Sequence, residues 1–443
     1  MFTSQTHLKD DLRTIFTLSL PVILETILQT LLGTTDTYFA GQLHDNAIAA
    51  IGVTGLFVNL LITVFTAIST GVTALVARSI GRRDDARANL VMRQALLLGG
   101  GIGLLLGVLS LLFRRPILLL TGAEDAVLTY ALPYFSLVVG PCALICLTQL
   151  LSSCLRAAKD TLSPMLASGF ANVLNIILNA LFIRLGWGIT GLALATTLSR
   201  AVTVLLLLFR IQKGSSPLRL TGGRWLPEGK TLVSILRIGI PAGIEKLVFR
   251  AGQVVYNNVI LSLGTTAYVA HSVAGTIEGY FYIPAMGFAV AAATMVGVKL
   301  GEENPEEARR LTYLTDAIAT AAMLLIAALA YILAPQLTAL FTETAEAQAL
   351  AVRLLRWIAF FQPFAALTQI ITAALQGASD TRFPMYATFG GIWLLHVGIG
   401  CFLAVPMGWG LFGIWCGYVL DIVVRGMLLL VRFMRGKWQQ ITL

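Results

Sequence analysis

This sequence predicts an all-α integral membrane protein with twelve transmembrane helices. They form two parallel-repeat six-helix bundles around a central cleft. Three observations carry that prediction. Of the 443 residues, 57% are hydrophobic and only 12% charged, with mean hydropathy +0.82, whereas a soluble domain carries roughly 25% charged residues. Twelve apolar stretches reach the length of about 20 residues that a bilayer span needs. They lie near 14–38, 47–77, 94–113, 129–155, 164–183, 189–209, 235–262, 267–298, 313–334, 347–375, 385–404 and 410–431. Third, the sequence repeats itself at an offset of 220 residues.

Along the chain, Pro21 and Glu25 meet Pro241 and Glu245, and Ala50, Val53 and Gly55 meet Ala270, Val273 and Gly275. Gly81 meets Gly301, and Leu147-Thr148-Gln149 meets Leu367-Thr368-Gln369. The segment 155–165 (LRAAKDTLSPM) meets 375–385 (LQGASDTRFPM), after which a two-residue insertion brings Gly186-Trp187-Gly188 onto Gly408-Trp409-Gly410. Each half holds six spans. An even number makes both copies enter the membrane from the same side, so the repeat is parallel, and two such halves suit alternating access. The expected organisation is an N-terminal bundle over 1–210, a basic Gly/Pro/Ser-rich cytoplasmic linker over 211–231 and a C-terminal bundle over 232–443.

The formal net charge of +9 reads as topology, not as a nucleic-acid footprint. With a cytoplasmic N-terminus, 23 of the 31 Lys and Arg residues fall on the inner side. Only Arg114, Arg115 and Arg184 fall outside, and Arg200, Lys246, Arg250, Arg353 and Arg356 lie within spans. That asymmetry places both termini in the cytoplasm. The polar first thirteen residues and the long apolar stretch after them do not resemble a cleavable signal peptide, so span one is expected to act as its own insertion signal. Cys142, Cys146, Cys154, Cys401 and Cys416 all fall in spans and are expected to be inert buried thiols.

Several motifs look like sites and are read as structure. Gly186-x-Gly188-x-x-Gly191 and Gly408-x-Gly410-x-x-Gly413 fit a dinucleotide fingerprint, but no strand precedes either, so they are turn glycines. Gly223 to Thr231 nearly spells a phosphate-binding loop, with one residue too many and a proline inside. Gly99, Gly100, Gly101, Gly103 and Gly107 are packing residues of span three. His7, His44, His271 and His396 do not form the spaced pair of a metal-binding helix, and no nucleophile motif accompanies them, so an enzyme is not expected. The run Glu302, Glu303, Glu306 and Glu307 is read as a solvated inner loop.

Carboxylates within spans are different, since each costs at least ~2.5–3.5 kcal/mol at mid-bilayer and is a functional-site hypothesis by default. Glu25, Asp36, Glu245, Glu278 and Asp421 qualify. Asp421 has Arg425 one turn later, which predicts an ion pair, and Lys246 and Arg250 offer the same to Glu245. Asp36 has no basic residue between Arg13 and Arg78, and removal from water favours the neutral form of an unpaired carboxyl. Asn172, Asn175 and Asn179 in span five and Thr196 and Thr197 in span six are its expected partners. The repeat equivalent of Asp36 is Tyr256, so the bundles differ chemically. Phe57, Tyr256, Tyr280, Phe281, Tyr282 and Phe361 are aromatics able to stack on flat cations. Gln253, Tyr256, Tyr280 and Tyr282 are the candidate substrate-cleft residues.

Pro21 with Asp36 fifteen residues later, Ala40-Gly41, Leu155 to Thr161 and its copy, Asn175-x-x-x-Asn179, and the small-residue run to Thr196 together resemble the multidrug and toxic compound extrusion (MATE) transporters. The resemblance covers about 14–432. It implies efflux of organic cations in exchange for protons or sodium, with Asp36, Asn175, Asn179 and Thr197 as the polar network of the N-terminal bundle. It also departs from the family, which often has aspartate where this chain has Asn179. Some branches carry an acidic residue in span seven, where Glu245 falls.

The resulting expectation is a secondary antiporter that acts as a monomer in a bacterial-type inner membrane, needs no cofactor and uses H+ or Na+ as coupling ion. The ion enters at Asp36, with Glu245 and Glu278 as further coupling candidates. The substrates are small organic cations, and the partners are the lipid bilayer and no nucleic acid. The alternative is a flippase for a lipid-linked saccharide or other amphipathic lipid of the related fold.

Overall fold

The computed structural model describes residues 2–214, 216–223 and 225–441, with side chains from residue 8 onward. The sequence readings of the His7 side chain and of Arg224 lie outside the described residues. All regular structure among the described residues is helical. The first half comprises α1 (Phe2–Gly41), α2 (Asp45–Gly81), α3 (Asp85–Leu112), α4 (Arg114–Leu120), α5 (Asp125–Val139), α6 (Cys142–Ala157), α7 (Leu162–Arg184) and α8 (Gly188–Lys213). The second comprises α9 (Gly229–Ser262), α10 (Thr265–Gly301), α11 (Pro305–Ala339), α12 (Ala345–Ala359), α13 (Gln362–Gly377) and α14 (Arg382–Gly390). A π-helical segment (Gly391–Ile399), α15 (Gly400–Ala404), α16 (Leu411–Met434) and a 3-10 turn (Lys437–Gln440) complete it.

Nine helical stretches among the described residues are long and apolar enough to cross a membrane, and two bent pairs raise the number to eleven. The twelfth predicted span lies in α9. Any 18-residue stretch of that helix contains Glu245, Lys246 and either Arg237 or Arg250, so composition alone does not qualify it. The spans read as continuous over 129–155 and 347–375 are bent, by 44° between α5 and α6 and by 59° between α12 and α13. Proline is the cause in both. Pro141 caps α6 and Pro363 is the second residue of α13, and a proline removes a helix donor and clashes with the preceding turn.

The repeat is written into the backbone. Arg83 and Glu303, and Lys159 and Ser379, pair at the 220 offset, and these four are the non-glycine residues at positive φ among the described residues. Asp84 and Asn304 cap α3 and α11 in the same way, each accepting from the amide three residues on. After the insertion, Gly186 and Gly188 match Gly408 and Gly410, all at positive φ, which confirms them as turn glycines. Asp160 pairs with Arg210 at 3.2 Å and Asp380 with Arg432 at 2.8 Å, again repeat partners. Each ties the start of its half's fifth span to the end of its sixth.

Packing divides the chain into two units, Leu20–Gly239 on one hand and Met1–Ser19 with Ile240–Leu443 on the other. The first turns of α1 thus belong with the second half and those of α9 with the first. Both changes of unit fall just before a proline, Pro21 in α1 and Pro241 in α9. Within Leu20–Gly239 the linker after α8 is strapped to α3. Asn89 accepts from the Arg219 amide (2.6 Å), and Gln94 bonds both the Leu226 carbonyl (2.8 Å) and the Glu228 amide (2.9 Å).

Glycine sets the α3–α6 approach. A Cβ on Gly103 would lie 2.7 Å from Ala143 Cα, whereas Gly100 and Gly101 face open space. Small residues at such a crossing let backbones approach closely. Gly103→Val is expected to cost about 1–3 kcal/mol by overpacking, seen as a lower melting temperature of the purified protein, while Gly101→Ala does not lower it.

Candidate functional site

In the Leu20–Gly239 unit, α1, α7 and α8 bring four buried polar side chains together. Asp36 is 5% exposed, Asn175 and Asn179 are fully buried, and Thr196 is 3% exposed. The Asn179 amide nitrogen donates to Asp36 Oδ1 and to Asn175 Oδ1, each at 2.9 Å. Thr196 Oγ1 lies 3.0 Å from Asp36 Oδ2, and the Asn175 amide reaches Thr196 Oγ1 at 3.4 Å. The spacing explains the convergence: Asn175 and Asn179 are one turn apart and share a helix face. Asn172 points to the same helix, donating to the Leu28 carbonyl of α1 at 2.7 Å.

The network differs from the sequence reading in one residue. Thr196 holds Asp36, while Thr197 turns away and donates to the Leu137 carbonyl of α5 at 2.8 Å. Adjacent helix positions are about 100° apart in direction, so only one of the pair can face α1. Two groups that the sequence reading did not assign to the site join it. Tyr134 of α5 is buried beside Thr196, and Arg200, one turn after Thr196, comes within electrostatic range of Asp36. Arg200 sends its guanidinium to the Val138 carbonyl (3.4 Å) and makes no ion pair with Asp36.

This geometry serves both charge states of Asp36. The Thr196 hydroxyl sits 3.0 Å from Asp36 Oδ2 and 3.1 Å from the Leu192 carbonyl, with one proton to donate. It donates to an ionised Asp36. When Asp36 is protonated it can accept from the acid and donate to Leu192 instead. Asn179 Oδ1 is buried with no partner among the described residues, a free acceptor for a hydrogen bond or a small cation.

The remaining carboxylates sort by partner. Glu25 pairs with Arg156 (2.8 Å) and accepts from Ser168 (3.3 Å), an ion pair locking α1, α6 and α7. Its repeat equivalent Glu245 meets the equivalent residues. Gln376 donates at 3.0 Å and Thr388 at 3.3 Å, so a neutral amide stands where the first half has a guanidinium. Arg425 reaches this group through Thr388 (3.4 Å) and pairs with Asp421 at 2.9 Å, as the i,i+4 spacing predicts. Lys246 is exposed. Glu278 is 6% exposed and accepts from the Tyr418 hydroxyl at 2.8 Å.

The candidate cleft residues do not share one environment. Tyr256 is buried and stacks on His396 with ring centroids 4.3 Å apart. Tyr282 packs on the core of its unit with its hydroxyl 2.6 Å from that of Tyr418. Tyr256 is corrected from a cleft-lining to a core position, because its ring is covered by neighbouring helices, while Tyr282 is half-buried. Tyr280 is 52% exposed, and Gln253 accepts from Arg250 at 2.9 Å. Phe57 and Phe361 pack against Phe135 and Trp357. His271 accepts from Trp415 on Nδ1 (3.2 Å), which leaves its Nε2–H to donate to Asn257 (3.0 Å).

The Glu25–Arg156 pair predicts a stability asymmetry. Arg156→Leu leaves a buried carboxylate unpaired and is expected to cost about 3–5 kcal/mol. Adding Glu25→Gln should recover most of it in thermal unfolding of the double variant.

Comparison with known proteins places the chain. The family model MatE matches residues 21–181 and again 241–402. The "Probable multidrug resistance protein NorM" of Thermotoga maritima is 28% identical over 428 residues, covering 96% of this chain and 92% of the relative. The "Uncharacterized transporter YisQ" of Bacillus subtilis is 26% identical over 437 residues, covering 96% and 95%. A crystal structure of MATE in the bent conformation superposes with TM-score 0.90 at 25% identity, covering 96% of this chain and 95% of that one. A MOP superfamily transporter from Pyrococcus furiosus, described as having a binding pocket of reverse polarity, reaches TM-score 0.89 at 25% identity, covering 97% and 96%.

Proposed function

This chain belongs to the MatE family, and we propose that it is a secondary active antiporter exporting small organic cations in exchange for protons or sodium by alternating access. The observation that carries the reading is Asp36, a carboxyl group buried among neutral Asn175, Asn179 and Thr196 with no ion pair among the described residues. A group so placed exchanges a proton or a sodium ion without breaking a salt bridge. The drug-resistance names of its relatives support export, and none of them supports the flippase alternative. The acidic bias of the buried charges favours cationic over anionic cargo.

The uneven Lys and Arg distribution supports a multi-pass protein of a bacterial-type inner membrane with both termini cytoplasmic. A monomer suffices, since the polar network is complete within one chain. The driving force is adequate. Each charge entering down 100 mV supplies about 2.3 kcal/mol, and one pH unit adds about 1.4 kcal/mol.

The test uses purified protein in liposomes with a pH-sensitive dye inside, tetraphenylphosphonium as the cation, and buffers with and without sodium. Cation-dependent proton movement, lost in Asp36→Asn, is the expected result. Sodium-stimulated cation movement without a proton response would assign sodium as the ion. Normal gradient-driven transport by Asp36→Asn would refute coupling at this residue.

The threonine pair offers a sharper check. Thr196→Val removes the Oδ2 partner of a buried carboxyl group, at about 1–3 kcal/mol. It is expected to lower coupled transport roughly tenfold. Thr197→Val should leave coupling intact, and transport assays on matched amounts of folded protein separate the two.

A further inference from the structure

The linker between α8 and α9 carries an apolar pair that its own unit leaves uncovered. Trp225 is 44% exposed and Leu226 beside it 65% exposed. A single exposed apolar residue calls for no explanation, but the position of this pair is fixed by α3. Gln94 clasps the linker with both ends of its amide, donating to the Leu226 carbonyl at 2.8 Å and accepting from the Glu228 amide at 2.9 Å. Two turns earlier on α3, Arg87 donates to Thr231 Oγ1 at 3.0 Å. Gly223 leaves room for the Arg93 guanidinium, which a Cβ there would overlap.

Gln94 marks a boundary on α3. It is the last polar side chain before an unbroken run of apolar residues and glycines from Ala95 to Leu109. Gly101, Leu105, Val108 and Leu112 follow on its own helix face. The three larger ones are exposed, and Gly101 faces open space. An exposed face without a polar side chain, on a helix long enough to cross a membrane, is a face turned to acyl chains. The clasp therefore holds Trp225 and Leu226 at the polar end of a lipid-facing surface. Indole rings collect at that level, with the ring among the chains and the N–H among the headgroups. The tryptophan after the last span of the second half is used differently. Trp438 is fully buried, stacks on Phe433 and donates to its carbonyl at 2.8 Å. Trp225 has no such partner among the described residues.

The charges at this end of the unit fit an anionic surface. Arg82 and Arg83 in the α2–α3 turn, Lys213 at the end of α8 and Lys230 in the first turn of α9 are all exposed. Lys213 lies over the exposed Phe209 ring, 4.9 Å from its centroid, an apolar body below and a cation above, as at a membrane interface. Of the carboxylates there, Asp84 caps α3 and Glu228 is taken by Thr231, which leaves Asp85 against four cations. We propose that the linker is an interfacial anchor. Trp225 and Leu226 insert into the leaflet on the linker's side, the inner one on the proposed topology, and the surrounding Lys and Arg side chains take anionic phospholipid headgroups. The anchor depends on neither the coupling ion nor the cargo.

The test places the purified full chain in vesicles of phosphatidylcholine with and without phosphatidylglycerol. The difference in emission between wild type and Trp225→Phe isolates this one indole. Its emission is expected to be quenched by lipids brominated near the headgroup end of their chains, to be shielded from aqueous iodide, and to be quenched more strongly with phosphatidylglycerol present. Gln94→Leu, paired with the same Trp225→Phe subtraction and checked for folding by thermal melting, should lose that lipid quenching as the clasp opens. Lys213→Gln combined with Lys230→Gln should remove the difference between the two vesicle types. Quenching by iodide without quenching by brominated lipid would put the linker in water and overturn the anchor. Shielding from both quenchers would mean that protein, a second copy included, covers the pair, and would overturn it equally. Equal lipid quenching with and without phosphatidylglycerol in wild type would overturn the headgroup preference.

Discussion

A carboxyl group inside a helix bundle that crosses a bilayer has no water to turn to, and the positions of the helices follow from how each such group is satisfied. Glu25 takes Arg156, Asp421 takes Arg425, and Asp36 and Glu278 take only neutral partners. The ion pairs tie helices together, since removing one partner of a buried pair is far more costly than the pair is worth. On the proposed antiport, the neutral cradle of Asp36 holds the group whose charge changes. Ion-paired and unpaired carboxyl groups thus differ here by the residue opposite them and not by depth or by type.

The repeat makes that distinction legible as divergence from a common plan. Glu25 and Glu245 hold equivalent positions with equivalent neighbours, but Arg156 is matched by Gln376. Asp36 and Tyr256 are equivalent, as are Thr196 and Tyr418, and a π-helical segment stands where the first half carries its asparagines. The scaffold pairs, Asp160 with Arg210 and Asp380 with Arg432, are kept in both halves, as are the positive-φ turns and the α3 and α11 caps. What is retained fixes the backbone, and what has changed lies in the polar interior of each unit.

The candidate site is partly legible in the amino-acid sequence. Asp36 stands out because no cation is near it along the chain, and Asn175 and Asn179 because their spacing puts them on one helix face. Thr197 is the wrong member of its pair, since adjacent threonines give no local signal of which one faces α1. The substrate-cleft reading of Tyr256 places a core residue at a surface, because aromatic composition does not reveal which side of a helix is covered. Tyr134 carries no local signal, and Arg200 signals only that a charge lies within a span, for the roles of both depend on the helices opposite them.

The membrane class, the two-fold repeat, the turn glycines and the pairing of Asp421 with Arg425 need nothing beyond the order of the residues. All of them rest on composition, on spacing along one helix or on comparison of the chain with itself. Helix packing is needed to choose the threonine that holds Asp36, to lock Glu25 while setting Glu245 against an amide, and to lay a π-helical segment beside Tyr256. One cause underlies all three: each depends on which face of one helix meets which face of another, and that is fixed by packing across well over a hundred residues of chain.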